Sequence, residues 1–268
     1  MLDHSQPLHG KTALITGGAK RLGRASALAL AQAGADVAIT FRDSSREAQQ
    51  TVADLSALGV RAFALLCDVT DEASVRSMMK NAGRELGRID ILVNNAANYE
   101  TAEFEELTVK QWDAMFASNT RGPFLVSREA LPWMRRPHPK NKNSTAARTE
   151  SKIINMGSLG GLRPWATHAH YCSSKAALHM LTKVMAKALA PEIAVNAVAP
   201  GMIDLGEKSA AAFMRRMGVC FAMRRKKGAA AFSRRSIIPG ATALTAISGA
   251  SALAITLVSI CTAAFDEQ

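Results

Sequence analysis

From residue 12 to residue 199 the chain alternates short apolar runs with helical patterns, and this rhythm narrows the possible folds more than any other feature. The runs 12–16, 36–41, 60–67, 89–94, 152–156 and 193–199 read as strands. Between them, 21–33, 46–58, 71–86 and 171–189 read as helices, the first two stopped by Gly34 and Gly59. Thr108 and Gln111 have capping-box spacing for a helix running into 112–118. Strands of unbroken apolar character must be covered on both faces, which a parallel sheet flanked by helices achieves. The expectation is an α/β fold: a doubly wound, Rossmann-like parallel sheet in a single domain over residues 1–228. Such sheets bind ligands outside the carboxyl ends of their strands. The residues that follow each strand are therefore the ones to read for chemistry.

The net charge of +11 suggests nucleic acid until it is located. The excess sits in two segments, 134–152 and 215–235, and the rest of the chain is close to neutral. No zinc-finger spacing or aromatic RNA-binding motif accompanies it, so no nucleic-acid partner and no metal site are expected. Cys67, Cys172, Cys220 and Cys261 form no CxxC pair, which fits reduced thiols and a cytoplasmic protein. The polar opening, with a strand following directly, does not resemble a signal peptide. Residues 135–151 are polar, basic and aperiodic, and read as a surface loop.

Between the first strand and the first helix stands Thr16-Gly-Gly-Ala-Lys-Arg-Leu-Gly23. Glycines there permit a tight turn and let backbone N–H groups approach a pyrophosphate at the helix N-terminus. An NAD site places an acid at the end of the second strand to hold the ribose 2′-hydroxyl. Here that position carries Arg42, followed by Asp43, Ser44 and Ser45. Arg42 and Ser44, with Arg21 reaching from the glycine-rich turn, suit a 2′-phosphate, because a guanidinium fork matches phosphate geometry. NADP(H) is favoured over NAD(H). After the third strand Asp68 and Val69 are placed to meet an adenine, and after the fourth Asn94 and Ala96 lie against the cofactor.

Tyr171 and Lys175 are four apart on a helix and share a face. An ammonium near a phenol stabilises the phenolate, so the tyrosine pKa is expected to be lowered. The fifth strand leads to Ser158, a hydroxyl for holding a carbonyl. His168 and His170 are read as solvent-exposed loop residues.

Taken together, TGGAKRLG, Asn94-Asn95-Ala96, Asn119, Ser158, Tyr171-Cys-Ser-Ser-Lys175 and Ala199-Pro200-Gly201 resemble the short-chain dehydrogenase/reductase family in order and spacing, from Gly10 to Ile203. The resemblance implies that Tyr171 protonates a carbonyl oxygen while a hydride reaches its carbon. Ser158 would orient that carbonyl, Lys175 would lower the tyrosine pKa and bind the nicotinamide ribose, and Asn119 would hold a water in a proton relay. Thr16, Gly17, Leu22 and Gly23 would cradle the pyrophosphate, and Pro200, Gly201 and Ile203 would line the nicotinamide pocket. It further implies a small-molecule carbonyl substrate and a homo-oligomer, tetramer or dimer. The Arg21 form of the glycine turn is similar to pteridine reductases, whereas Asn119 and Ser158 are similar to 3-oxoacyl carrier-protein reductases.

Beyond residue 228 the resemblance stops. The Val-Asp-Gly-Gly motif near the family's last strand is missing, and no charged residue occurs from 236 to 265. A frameshifted end, a divergent end and a tail anchor are the competing accounts of 229–268. Ala, Ser, Thr and Gly content with Pro239-Gly240 argues against membrane insertion. Without a last strand the sheet would end in a bare edge, and assembly or catalysis would suffer. The alternative function is then a degenerate protein that binds a nucleotide without turnover.

Overall fold

Seven strands lie parallel in one sheet, and their order puts the chain's earliest strand near the middle. The computed structural model describes residues 6–136 and 151–201, with the backbone of 245–247. The strands are β1 (Thr12–Ile15), β2 (Asp36–Phe41), β3 (Ala62–Leu66), β4 (Ile91–Asn94), β5 (Ser151–Met156), β6 (Ile193–Pro200) and β7 (Thr245–Ile247). They pair in the order β3-β2-β1-β4-β5-β6-β7. The chain winds outward from β1 to β3, then crosses back to lay β4 on the other side of β1. That reversal opens a crevice beyond the carboxyl ends of β1 and β4.

The two-residue period of a strand divides the core in two. Ala13, Ile15, Val37, Ile39, Ile91, Val93, Ile154 and Met156 belong to one buried cluster, with α1 (Arg21–Gln32) and α2 (Ser45–Ser56) over it. Leu14, Ala38, Leu92 and Ile153 point the other way, into a cluster built with α3 (Glu72–Leu86) and α5 (Gly122–Met134). The last turns of α6 (Ala169–Ala188) pack on this second face through Met185 and Ala186. Helix α4 (Val109–Phe116) starts in the capping box expected of Thr108 and Gln111.

Three expectations need adjustment. Helix α5, not among the expected elements, carries Gly122-Pro123 in its first turn. Between α4 and α5 the segment Ala117–Arg121 widens into a π-helical turn. The edge expected to be bare beyond β6 is covered over its last three residues: Val198, Ala199 and Pro200 pair with Thr245, Ala246 and Ile247. Main-chain pairing needs amides in register and no particular side-chain motif. Strand β7 lies inside the segment 229–268. Otherwise the tail, most of the loop 135–151, the basic run 215–235, Cys220, Cys261 and Ile203 lie outside the described residues. No helix among the described residues is long and apolar enough to cross a membrane.

The amino ends of the central strands are clamped by buried polar groups. Arg88 donates Nε–H to Asp90 at 2.6 Å and Nη2–H to Ser151 at 2.9 Å. The other Asp90 oxygen accepts from the Thr12 amide at 3.0 Å, and Thr12 Oγ1 donates to Arg88 O at 2.7 Å. One carboxylate thus joins the entrances of β1, β4 and β5 with its charge fully desolvated. Asp90→Ala is expected to destabilise the fold by about 3–5 kcal/mol, since it takes the carboxylate from a buried guanidinium. Urea unfolding followed by circular dichroism measures this, and a loss below about 1 kcal/mol, the scale of an exposed ion pair, would contradict the clamp.

Candidate active site

A cleft of about 640 Å³ runs along the carboxyl ends of β1 to β6, where the alternation of elements placed it. Its floor under the first turn is shaped by two glycines. Gly17 has φ +62, and a Cβ there would come within 3.0 Å of Ala96 Cα. At Gly23 a Cβ would lie 2.1 Å from the Gly17 carbonyl oxygen, so no side chain fits. Helix α1 begins without a side-chain cap at Lys20, which leaves its first N–H groups available to an anion. Arg21, the first residue of that helix, takes φ +53, a left-handed conformation usually left to glycine.

The turns after β1 and β4 are stitched together. Thr16 Oγ1 accepts from the Asn95 and Ala96 amides at 3.0 Å each, and Asn95 Nδ2 donates to Thr16 O at 2.9 Å and Gly17 O at 3.0 Å. Thr16 is therefore a support of the turn and does not itself line the cleft, whereas Gly17, Arg21, Leu22, Gly23 and Ala96 do. Asn94 also departs from expectation. Its side chain is buried and donates to Ser127 Oγ at 2.9 Å and Asn155 Oδ1 at 2.8 Å, away from the cleft. The residue that lines the cleft is Asn95, one position on; side chains alternate across a strand, and only the register shows which of two adjacent asparagines faces in.

At the far end of β2, Arg42 Nε donates to Asp43 at 2.7 Å, and Nη1 stands 4.0 Å from Asp68. Both acids leave the planar fork charged and oriented. Asp68 Oδ1 already accepts from the Thr70 amide and hydroxyl at 2.9 and 2.7 Å, so only its second oxygen is uncommitted to that turn. Ser44 and Val69 also line this end, and Pro200 and Gly201 line the other.

The chemical groups gather on α6 and the turn after β5. Tyr171 and Lys175 face the cleft with Ser158. Burial raises the Tyr171 pKa, while the hydrogen bond from Ser158 pulls the other way. The expected lowering by Lys175 is not what this geometry produces. The Lys175 ammonium donates to Met156 O at 2.8 Å and lies 5.9 Å from the Tyr171 ring centre, so desolvation of the phenol dominates. Desolvation also pushes Lys175 down to about 8.

Asn119 is completely buried on the π-helical turn, with its amide committed to protein. Its Oδ1 accepts from the Asn98 amide at 2.8 Å, and Nδ2 donates to Asn98 O at 3.0 Å and Ser174 Oγ at 3.1 Å. The side chain ties the loop after β4 to α6. His168 and His170 are buried and not exposed. His168 shares a hydrogen bond of 2.7 Å with the Tyr99 hydroxyl. Tyr99 and Trp165, neither singled out in the sequence, line the cleft beside Tyr171.

His179, also unforeseen, continues the Tyr171–Lys175 face by one more turn. Its Nε2 accepts from the Ser158 amide at 3.4 Å. A Cβ at Gly157 would lie 2.1 Å from that nitrogen, and one at Gly161 would lie 3.0 Å from Cε1. The imidazole thus fills the space behind the serine turn. Its signal in the sequence was the i+4 spacing from Lys175, which by itself does not separate core from site.

The family model described as short chain dehydrogenase matches residues 11–213. The chain is 34% identical over 194 residues to the 3-oxoacyl-(acyl-carrier-protein) reductase FabG of Staphylococcus aureus, covering 72% of this chain and 74% of that protein. It is 39% identical over 198 residues to a sorbitol dehydrogenase of Cereibacter sphaeroides, covering 74% and 72%. Among solved structures, a short chain dehydrogenase of Burkholderia cenocepacia J2315 in complex with NADP is similar, with a TM-score of 0.74, 31% identity, and 95% and 91% coverage.

Burial, with the Lys175 and Lys183 charges, pushes the His179 pKa down to about 4. The unfolded chain takes up this proton at higher pH than the folded one, so stability is lost as pH falls from about 6.5 towards 4. The loss from this group is on the order of 3 kcal/mol. His179→Gln should flatten that part of the acid slope in urea titrations from pH 7 to pH 4; an unchanged slope would refute the assignment.

Proposed function

The chain belongs to the short-chain dehydrogenase/reductase family, and from that premise we propose that it is an NADP(H)-dependent reductase of ketones, forming secondary alcohols. As an oxidoreductase of this family it acts between C=O and CH–OH. The single observation that carries the finer reading is the convergence of Ser158, Tyr171 and Lys175 at one end of a cleft whose other end is a glycine cradle with a phosphate-matching guanidinium.

The residues fit a dinucleotide. Gly17 and Gly23 leave room that any side chain would fill, and the open N-terminus of α1 offers amides and dipole to the pyrophosphate. Arg42 is the base for a 2′-phosphate, with Asp43 holding the guanidinium by its Nε edge. Arg21 adds a second cation from the turn. Its left-handed backbone costs on the order of 1 kcal/mol relative to glycine, a strain that persists where function retains it. The bound cofactor supplies the hydride.

The chain's own groups then handle the carbonyl oxygen. Ser158, which lines the cleft beside the phenol, holds that oxygen next to the Tyr171 hydroxyl. A phenol whose pKa is raised keeps its proton through neutral pH, so Tyr171 stands ready as a donor in the direction of reduction. Lys175, buried and one turn along, holds the nicotinamide ribose. The main-chain turn that presents Ser158 is backed by His179, and the loop carrying Ala97 and Asn98 by Asn119.

Two measurements test this reading. Tyr171→Phe should lower kcat for ketone reduction by about 10²–10⁴-fold, the usual worth of a positioned acid, with NADPH affinity nearly unchanged; a wild-type rate would refute the role. Arg42→Ala should raise the NADPH Kd by roughly 10–100-fold, the loss of a charge-assisted contact, and leave NADH little affected. Titration by nicotinamide fluorescence reads both cofactors. Equal losses for the two would remove Arg42 from the 2′-phosphate.

A further inference from the structure

The rings around Tyr171 belong to no step described so far. Tyr99 meets Tyr171 edge to face, with centroids 4.9 Å apart and planes at 82°. Trp165 lies nearly parallel to Tyr171, its plane at 12° and its centroid 6.1 Å away. Tyr99 is 54% exposed, and what holds it is the 2.7 Å hydrogen bond from its hydroxyl to His168 Nε2. His168 is fixed in turn by Thr167 Oγ1 on Nδ1 at 3.0 Å and by the Trp165 ring, edge to face at 5.3 Å. Trp165 is backed by Gly160, where a Cβ would come within 3.1 Å of its ring. Three aromatic faces are thus locked in orientation at the mouth of the acid, and one of them is kept in solvent by a tether.

Charge is arranged to match. Among the described lining residues, Lys20, Arg21, Arg42, Asp43 and Asp68 all sit at the glycine-turn end. Around the phenol the lining is Ala97, Asn98, Tyr99, Ser158 and Trp165, with Lys175 turned to the Met156 carbonyl. Among the described residues around the phenol, an anionic or polyhydroxylated substrate finds few partners. A flat, uncharged ring can stack on Trp165 and meet the edge of Tyr99, the offset and T-shaped arrangements that π-systems prefer.

We propose that the substrate carries its carbonyl directly on an aromatic or otherwise planar conjugated ring, recognised by the Tyr99–Trp165–His168 cluster. This rests on the ketone-reductase reading and adds the substrate class. The acid on Tyr171 is then presented to an oxygen coplanar with the ring, so stacking sets the face open to hydride.

The test compares 1-phenyl-1-propanone with 1-cyclohexyl-1-propanone, which match in size and differ in planarity, using the full chain and NADPH. Wild type should favour the phenyl ketone in kcat/KM by about tenfold, the scale of aromatic pairing. Trp165→Leu and Tyr99→Leu should each bring the ratio close to one. Equal or better turnover of the cyclohexyl ketone, or of a straight-chain 3-oxoacyl thioester or a ketohexose, would overturn the proposal. So would a ratio untouched by both variants. Ligand-observed NMR of the two ketones against the NADP⁺ complex separates the layers. If no carbonyl is reduced yet the phenyl ketone binds preferentially, the ring site stands and the reductase reading falls; equal binding overturns the ring site whatever the turnover.

Discussion

A parallel sheet has no solvated face to spare, and this constraint arranges everything else in the molecule. Strands β1, β4 and β5 must bury both sides, so α1 and α2 cover one and α3, α5 and α6 the other. Chemistry is confined to the strand ends. The amino ends are closed by Arg88, Asp90, Thr12 and Ser151, a desolvated network that joins three strands. The carboxyl ends open at the crossover between β1 and β4, and the cleft lies there.

A second buried network ties the catalytic helix to that frame. Asn94 donates to Ser127 on α5 and to Asn155 on β5, and Asn155 donates to Thr182 on α6 at 2.9 Å. Buried amides of this kind are costly unless paired, so these three hydrogen bonds fix where α6 sits against the sheet. Because α6 carries Tyr171, Lys175 and His179 at successive turns, the register of the amides sets the depth of the phenol in the cleft. Asn119 performs the same service on the other flank, joining Asn98 to Ser174.

Much of this is legible in the sequence. Apolar period and glycine punctuation located the strands and most helices, and the residues read after each strand do reach the cleft in large part. The failures share one cause. Asn94 against Asn95, Asn119 as a staple, His168 as a buried group and Tyr99 as a wall all depend on contacts between segments far apart in the chain. Tyr99 and His168 stand 69 residues apart in the chain, and no local pattern encodes their contact. Helix α5 was also absent from the expected elements, although a first turn permits its Gly122-Pro123.

By itself the sequence determined the layered parallel architecture, the glycine cradle at the first turn, the cationic end of β2 and the Tyr–Lys face of one helix, because each is written in local period, spacing or residue type. Only the tertiary structure decided the rest. It set the surroundings of Tyr171, where burial raises the phenol pKa and Lys175 turns to Met156 O. It chose which asparagine faces the cleft, paired β7 with β6 without the expected motif, and assembled the aromatic mouth. Desolvation, ring geometry and strand register are properties of surroundings, and surroundings exist only once distant segments have packed.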